Sequence, residues 1–158
     1  MSYFDYLQKR KVFVSYDHDD TDQVNGFMGL RNLPGINFDF INKKLDYEIQ
    51  SQSDEYKRRV IREKFIRSAS VTAVLIGVNY YLSKWSNWEI EDSIQEGNGL
   101  VAIALKGVER ATLPSEFQKY LNKGLVYFRP WQPEHFQEWI EEAYQNRELL
   151  QKTSTEIL

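Results

Sequence analysis

The sequence predicts an α/β fold of flavodoxin-like topology, a three-layer sandwich whose five-stranded parallel sheet, in the order 2-1-3-4-5, carries helices on both faces. Short apolar runs alternate with helical patterns along the chain. The runs 71–76 and 100–105 are apolar almost throughout, which is typical of strands buried on both faces. The length of 158 residues suits one such domain and is too short for two. Right-handed crossovers make this strand order the simplest topology.

The first strand and helix are predicted on either side of an acidic segment. Residues 12–16 form a β-branched and aromatic run, and Asp19 or Asp20 is a suitable N-cap for the helix that follows. The second strand is predicted at 36–41. Residues 42–53 are polar and lack a clear period, which indicates a long loop of the kind that is usually functional or mobile.

A strongly periodic helix is predicted to begin at Asp54, and the third strand, 71–76, ends at Gly77. Helices are then predicted at 86–96 and 114–121, strands at 100–105 and 125–128, and a final helix from Pro133 onward. We assign residues 1–150 to a single domain and 151–158 to a polar C-terminal tail that is expected to fray.

Composition excludes several classes of function. The 20 basic and 23 acidic residues give a net charge of -3, which does not favour nucleic acid or an anionic membrane as partner. The chain has no cysteine for a disulfide, a thiolate nucleophile or a zinc–thiolate site, and its two histidines are too few for a His-rich metal centre. No apolar run approaches the roughly 18 residues of a membrane span. We therefore expect a cytoplasmic protein without a metal.

The position of a site follows from the predicted topology. In an open parallel sheet, ligands bind beyond the carboxyl ends of the strands where the strand order reverses. Ser15, Tyr16 and Asp17 follow the first strand at this edge, and Asn79 follows the third. Dinucleotide-binding, P-loop and nucleophile-elbow motifs are all missing from the sequence. A phosphate-accepting receiver domain would need an aspartate where this chain has Gly77.

Three stretches carry a resemblance to a known family. Residues 12–16 with Asp20 resemble the first motif of Toll/interleukin-1 receptor (TIR) domains. Residues 83–91 resemble the motif that carries the catalytic glutamate in the bacterial and archaeal TIR-like branch, and 54–77 also resemble that branch. The resemblance covers roughly residues 11–113, with several motifs in the expected order.

The resemblance implies cleavage of the nicotinamide–ribose bond of NAD⁺, by hydrolysis or by cyclisation to a cyclic ADP-ribose isomer. The family motif places Trp four residues before the catalytic Glu, which corresponds to Trp85 and Glu89. NAD⁺ is then a substrate, and no cofactor is implied. Some stand-alone members of this branch make a nucleotide signal for a separate effector in the Thoeris antiphage system, and TIR domains also self-associate.

The candidate site therefore consists of Glu89 as the catalytic residue, with a substrate-binding set formed by Ser15, Tyr16, Asp17, Asn79 and Trp85. Each has a structural alternative: Ser86 and Glu89 fit a capping box, and Trp85 fits core packing. Two rival functions also stay open. One is a non-catalytic interaction module that docks through the loop at 42–53. The other is an N-glycosidic enzyme resembling nucleoside deoxyribosyltransferases.

Overall fold

The computed structural model describes residues 9–32, 36–41 and 53–157. Within these ranges, one parallel sheet has the strand order β2-β1-β3-β4-β5, which confirms the predicted topology. Its strands are β1 (Arg10–Ser15), β2 (Phe38–Ile41), β3 (Val71–Ile76), β4 (Gly99–Ala104) and β5 (Phe128–Arg129). The order reverses between β1 and β3, so these two strands flank the crevice in which ligands of such sheets bind.

Helices connect the strands and cover both faces of the sheet. They are α1 (Thr21–Gly29), α2 (Asp54–Val60), α3 (Lys84–Gln95), α4 (Ser115–Leu121), α5 (Phe136–Gln145) and α6 (Arg147–Ile157). Short 3₁₀ turns lie at His18–Asp20, Leu30–Asn32, Tyr80–Leu82 and Pro133–His135. Among the helices of the described residues, none has both the length and the apolar character needed to cross a membrane.

Alternation of side chains along the strands produces two separate cores. Val12 and Val14 of β1 belong to the core under α1 and α5, whereas Phe13 points to the opposite face, toward the helix that precedes β3. That opposite face also carries α3, α4 and α6, whose apolar residues pack with Ile76 and Leu100. All residues of β3 and β4 are buried, as their unbroken apolar runs predicted.

The helix before β3 changes its hydrogen-bond pattern partway along. Ser53 caps its start, accepting from the Tyr56 backbone N–H at 3.2 Å, and α2 then continues into a π-helical segment at Ile61–Ile66. Arg67 N–H bonds to the Arg62 carbonyl at 2.9 Å, an i→i+5 spacing. Such widened turns often occur at functional sites, and this one contains Arg62, which donates to Glu96 at the end of α3.

Several predicted boundaries are corrected by the structure. The fifth strand is Phe128–Arg129, rather than 125–128. The residues from 151 onward do not form a polar tail: they continue α6 to Ile157, and Leu150 is buried against the α3 face while the Gln151 amide donates to the Gln95 carbonyl at 2.9 Å. The predicted loop at 42–53 lies outside the described residues except for Ser53.

Gly99 lets α5 approach the sheet closely. It is the first residue of β4, and a Cβ at this position would overlap the backbone carbonyl of Ala143 in α5. Because both overlapping groups belong to regular elements, neither can move aside without shifting a whole helix or strand. The absent side chain therefore sets the distance between α5 and the sheet.

Replacing Gly99 by alanine is expected to lower the free energy of unfolding by about 1–3 kcal/mol, the usual cost of overpacking a core. Gly26 in α1 is the matched control, since open space surrounds its Cα. Gly26→Ala is expected to raise stability by about 0.5–1 kcal/mol, because alanine loses less backbone entropy in a helix. Urea denaturation measures both. Unchanged stability of Gly99→Ala would contradict the close packing of α5 on β4.

Candidate functional site

The end of β1 carries a buried pair of hydroxyl groups. Ser15 is the last residue of β1 and is 1% exposed, and Tyr80, in the 3₁₀ turn after β3, is also 1% exposed. Ser15 Oγ and Tyr80 Oη are 2.6 Å apart, a hydrogen bond in which either oxygen can be the donor. This bond links the end of β1 to the turn after β3, on the face of the sheet that α3 covers.

The structure excludes the capping role considered for Glu89. The N-cap of α3 is Ser83, whose hydroxyl accepts from the Trp85 backbone N–H at 3.2 Å. Ser86 lies inside the first turn and its hydroxyl donates to the Ser83 carbonyl at 2.7 Å. Glu89 therefore belongs to the second turn of α3, beyond the reach of a capping box with Ser86 at its start. The capping-box hypothesis is wrong.

Glu89 lies close enough to Tyr80 for its charge to act on the phenol. Its side chain is buried, with 3% of the residue exposed. Burial raises the pKa of the Tyr80 phenol well above its ordinary 10.0, and the negative charge of Glu89 raises it further, while the hydrogen bond with Ser15 acts in the opposite direction. Tyr80 therefore stays protonated and neutral beside the carboxylate. Ser15 and Glu89, which the sequence singled out, thus both act on Tyr80, the first through a hydrogen bond and the second through its charge.

Ion pairs hold α3 against the helix that precedes β3, and we call this group the arginine clamp. Arg58 donates to Asp92 through Nε and Nη2, at 2.9 and 2.8 Å. Arg62 donates to Glu96 at 2.7 Å, and Arg67 donates twice to the same carboxylate, each time at 3.1 Å. Asp92 is only 1% exposed, so its charge depends on these partners.

Trp85 lies one turn before Glu89 and is half-buried against the cluster of Phe13, Ile61 and Ile66. Its ring is perpendicular to that of Trp88, with centroids 5.2 Å apart, and the Arg58 guanidinium lies 5.1 Å from the Trp88 ring. Trp85 therefore packs between α3 and the preceding helix, which is the structural role that its spacing also allowed. Its predicted contact with substrate stays a prediction.

The other predicted binding residues lie around the same sheet edge but not in one cluster. Tyr16 is half-buried against the core on the opposite face, under α1 and α5. Asp17 accepts a hydrogen bond from the Asp19 backbone N–H at 2.9 Å and so caps the first 3₁₀ turn. Asn79 is exposed at the turn after β3. Ser15, also of the predicted set, is hydrogen-bonded to Tyr80, and its contact with substrate stays a prediction.

A cavity of about 280 Å³ opens at the carboxyl ends of β1, β3 and β4. It is lined by Asp19, Asp20, Asp22, Gln23, Gly77, Val78, Leu105, Lys106 and Val108. A Cβ at position 77 would collide with the Asp20 carboxylate, so glycine permits that acid to lie against the end of β3. Partial burial raises the pKa of Asp20, and the charges of Asp17 and Asp19 raise it further. Glu89 is not part of this lining.

Within the described ranges, no group of three or more histidine, cysteine or acidic side chains is arranged to hold a metal ion. The acids after β1 are instead engaged locally, as the Asp17 cap shows. The role of Tyr80 could not be predicted, because nothing in its local sequence pattern indicates that the phenol turns back to β1.

The strand order, the reversal between β1 and β3, and a buried carboxylate beside the end of β1 define a flavodoxin-like α/β domain with a candidate site at its carboxyl edge. Residues 13–110 match the family described as Thoeris protein ThsB, TIR-like domain. This match spans more than half of the chain and includes Ser15, Tyr80 and Glu89. The chain therefore belongs to this TIR-like family.

Further comparisons were made with curated proteins and with solved structures. The comparison with curated proteins gives no match. Among solved structures, a CMP N-glycosidase from Clostridium botulinum, BcmB, is 14% identical with a TM-score of 0.47, covering 92% of this chain and 98% of its own. The TIR domains of the activated Roq1 resistosome, which recognises the effector XopQ, are 16% identical with a TM-score of 0.42, covering 93% and 84%.

Replacing Asp92 by asparagine is expected to destabilise the protein by about 2–3 kcal/mol, because Arg58 and Arg62 then face a neutral amide in a buried position. The matched control is Asp54→Asn, which weakens an exposed ion pair with Lys84 and should leave the unfolding midpoint near that of the wild type. Chemical denaturation compares the two. Equal effects would show that burial of Asp92 does not strengthen the clamp.

Glu96 should make stability depend on pH. Hydrogen bonds from Arg67 and then from Arg62 hold its pKa below the ordinary 4.5. As the pH falls, the unfolded chain binds a proton at this position before the folded protein does. The stabilisation that Glu96 contributes is therefore complete above pH 4.5, and it is lost as the pH falls through the lower pKa of the folded state. Glu96→Gln should flatten the acid side of the stability profile, measured by urea midpoints. An unaltered profile would contradict this assignment.

Proposed function

We propose that this protein cleaves the bond between nicotinamide and ribose in NAD⁺, with Glu89 as the catalytic carboxylate. The observation that carries the proposal is the position of Glu89: it is buried on α3 and its charge acts on Tyr80, which bonds to Ser15 at the end of β1, in a chain of the TIR-like family. The reversal of strand order between β1 and β3 is where such a sheet binds ligands.

One carboxylate is sufficient for this chemistry. Glycosidases that expel a sugar oxygen need a second carboxylic acid to protonate the leaving group. Nicotinamide in NAD⁺ is already a cationic pyridinium, so when the bond to ribose C1′ breaks, the electron pair leaves with the ring nitrogen and the base departs neutral. Positive charge then develops on the ribose. A fixed negative charge in a buried position stabilises that charge electrostatically.

The predicted binding residues provide polar and aromatic groups around this centre. Ser15 would bond to the ribose beside Glu89, and Trp85 would form a wall of the crevice one turn earlier on α3. Tyr16, Asp17 and Asn79 lie at the carboxyl edge, where they would contact more distant parts of a dinucleotide. A dinucleotide is long enough to contact several of these side chains along the carboxyl edge of the sheet.

The product depends on which nucleophile attacks C1′. Attack by water gives ADP-ribose, and attack by an atom of the substrate itself gives a cyclic ADP-ribose isomer; each releases one proton. We favour the cyclic product, because the Thoeris family context fits a nucleotide signal that activates a separate effector in antiphage immunity. Self-association of the TIR-like domain would then regulate its formation.

Replacing Glu89 by glutamine is expected to reduce nicotinamide release from NAD⁺ by about a hundredfold or more, because the amide keeps the shape of the side chain and removes its charge. Glu91→Gln is the matched control: Glu91 lies two residues further along α3, its side chain is 43% exposed, and the variant should keep wild-type turnover. Chromatography of released nicotinamide measures both, and mass spectrometry identifies the nucleotide product.

Normal turnover by Glu89→Gln would show that another group supports the reaction. A folded wild-type protein that releases no nicotinamide, alone and with infected-cell extract as trigger, would favour the interaction-module alternative. Preferential cleavage of deoxynucleosides in competition with NAD⁺ would favour the deoxyribosyltransferase-like alternative.

A further inference from the structure

We propose that Tyr80 is a positioning residue of the Glu89 site, which acts by fixing the hydroxyl of Ser15 through the hydrogen bond between their oxygens. This inference rests on the function proposed above and assigns to that site a residue that the sequence did not single out. The three side chains come from different elements, namely β1, the turn after β3, and α3. Their residues are 1, 1 and 3% exposed.

Packing alone does not explain the phenol oxygen. The Tyr80 ring lies in the core under α3 with Ile76, Ile90 and Ile94, where a phenylalanine ring would fill the same space. A buried hydroxyl costs free energy unless it is hydrogen-bonded, so the oxygen and its Ser15 partner must be accounted for together. Their bond reaches the last residue of β1, at the edge that binds ligands.

The hydrogen bond restricts the orientation of the Ser15 hydroxyl, and either oxygen can be its donor. Burial and the charge of Glu89 raise the pKa of the phenol, so Tyr80 keeps a proton to donate. When Tyr80 donates to Ser15 Oγ, the serine proton is directed to a second acceptor. In the proposed reaction, the acceptors are a ribose hydroxyl and the Glu89 carboxylate. In that arrangement, Tyr80 holds the Ser15 hydroxyl in one orientation.

The backbone holds Tyr80 firmly enough for this task. Its 3₁₀ turn is closed by bonds from Leu82 N–H to the Asn79 carbonyl at 3.1 Å and from Ser83 N–H to the Tyr80 carbonyl at 3.2 Å. Ser83 is also the N-cap of α3. The bond between Tyr80 and Ser15 therefore ties the start of the helix that carries Glu89 to the end of β1.

The test compares Tyr80→Phe, Ser15→Ala and the double variant in NAD⁺ turnover. Each single change should lower kcat about tenfold while KM stays within about twofold, since a misoriented hydroxyl weakens transition-state contacts more than binding. The double variant should be no slower than the slower single variant, because both changes remove the same interaction. Tyr120→Phe, a buried tyrosine of the same core on α4, is the control and should keep wild-type kcat.

Unchanged kcat in Tyr80→Phe, or losses that multiply in the double variant, would overturn the inference. A loss of thermal stability without a change in kcat would mean that the phenol is structural. If Tyr80→Phe does not fold, the kcat of Ser15→Ala decides, and an unchanged value overturns the inference.

A second measurement needs no substrate. The buried Tyr80 hydroxyl proton should give a slowly exchanging NMR signal, assigned by its loss in Tyr80→Phe. Ser15→Ala and Glu89→Gln should both shift that signal, whereas Tyr120→Phe should not. A signal that neither change moves overturns the positioning role. If the wild type releases no nicotinamide but the signal shifts as expected, the proposed reaction has failed and the link between Tyr80, Ser15 and Glu89 stands.

Discussion

The arginine clamp is the constraint on which the candidate site depends. Asp92 is almost completely buried, and a buried carboxylate stays charged only with well-aligned cationic partners, which Arg58 and Arg62 supply. Residues three apart on a helix lie on neighbouring parts of its surface, so fixing Asp92 also fixes the rotation of α3 at Glu89. The π-helical segment before β3 brings Arg62 alongside α3. Structure far from the sheet edge thus determines where the proposed catalytic carboxylate lies.

The two faces of the sheet differ in the side chains that they bury. Aromatic packing dominates under α1 and α5, where Phe27 contacts Phe40 and Phe136 with ring centroids 5.2 and 5.1 Å apart. The face under α3 combines apolar packing with buried polar groups, among them the Ser15–Tyr80 pair. Polar groups need directed partners whereas apolar rings do not. The site has therefore been built on the face that can orient hydrogen bonds.

Most of the fold could be predicted because its strands are short apolar runs and its helices are periodic. β5 was misplaced since only two residues pair, and α6 was missed because its sequence is mostly polar around the buried Leu150. At the candidate site, Ser15 could be proposed from its position at the end of a strand, and Glu89 from its motif. Tyr80 could not, because a side chain that folds back from a turn leaves no periodic trace. The predicted Ser86 capping box was wrong because Ser83, three residues earlier, is the N-cap of the helix.

Gly77 has a consequence for the direction from which a ligand can enter. With no methyl group at this position, the carboxylate of Asp20 reaches across the boundary between β1 and β3 and lies against the backbone. An incoming molecule therefore meets acidic groups there, with Lys106 as the basic residue of the lining. Phosphate groups are repelled by such a surface. Anionic parts of a ligand in this cavity would accordingly lie away from Asp20.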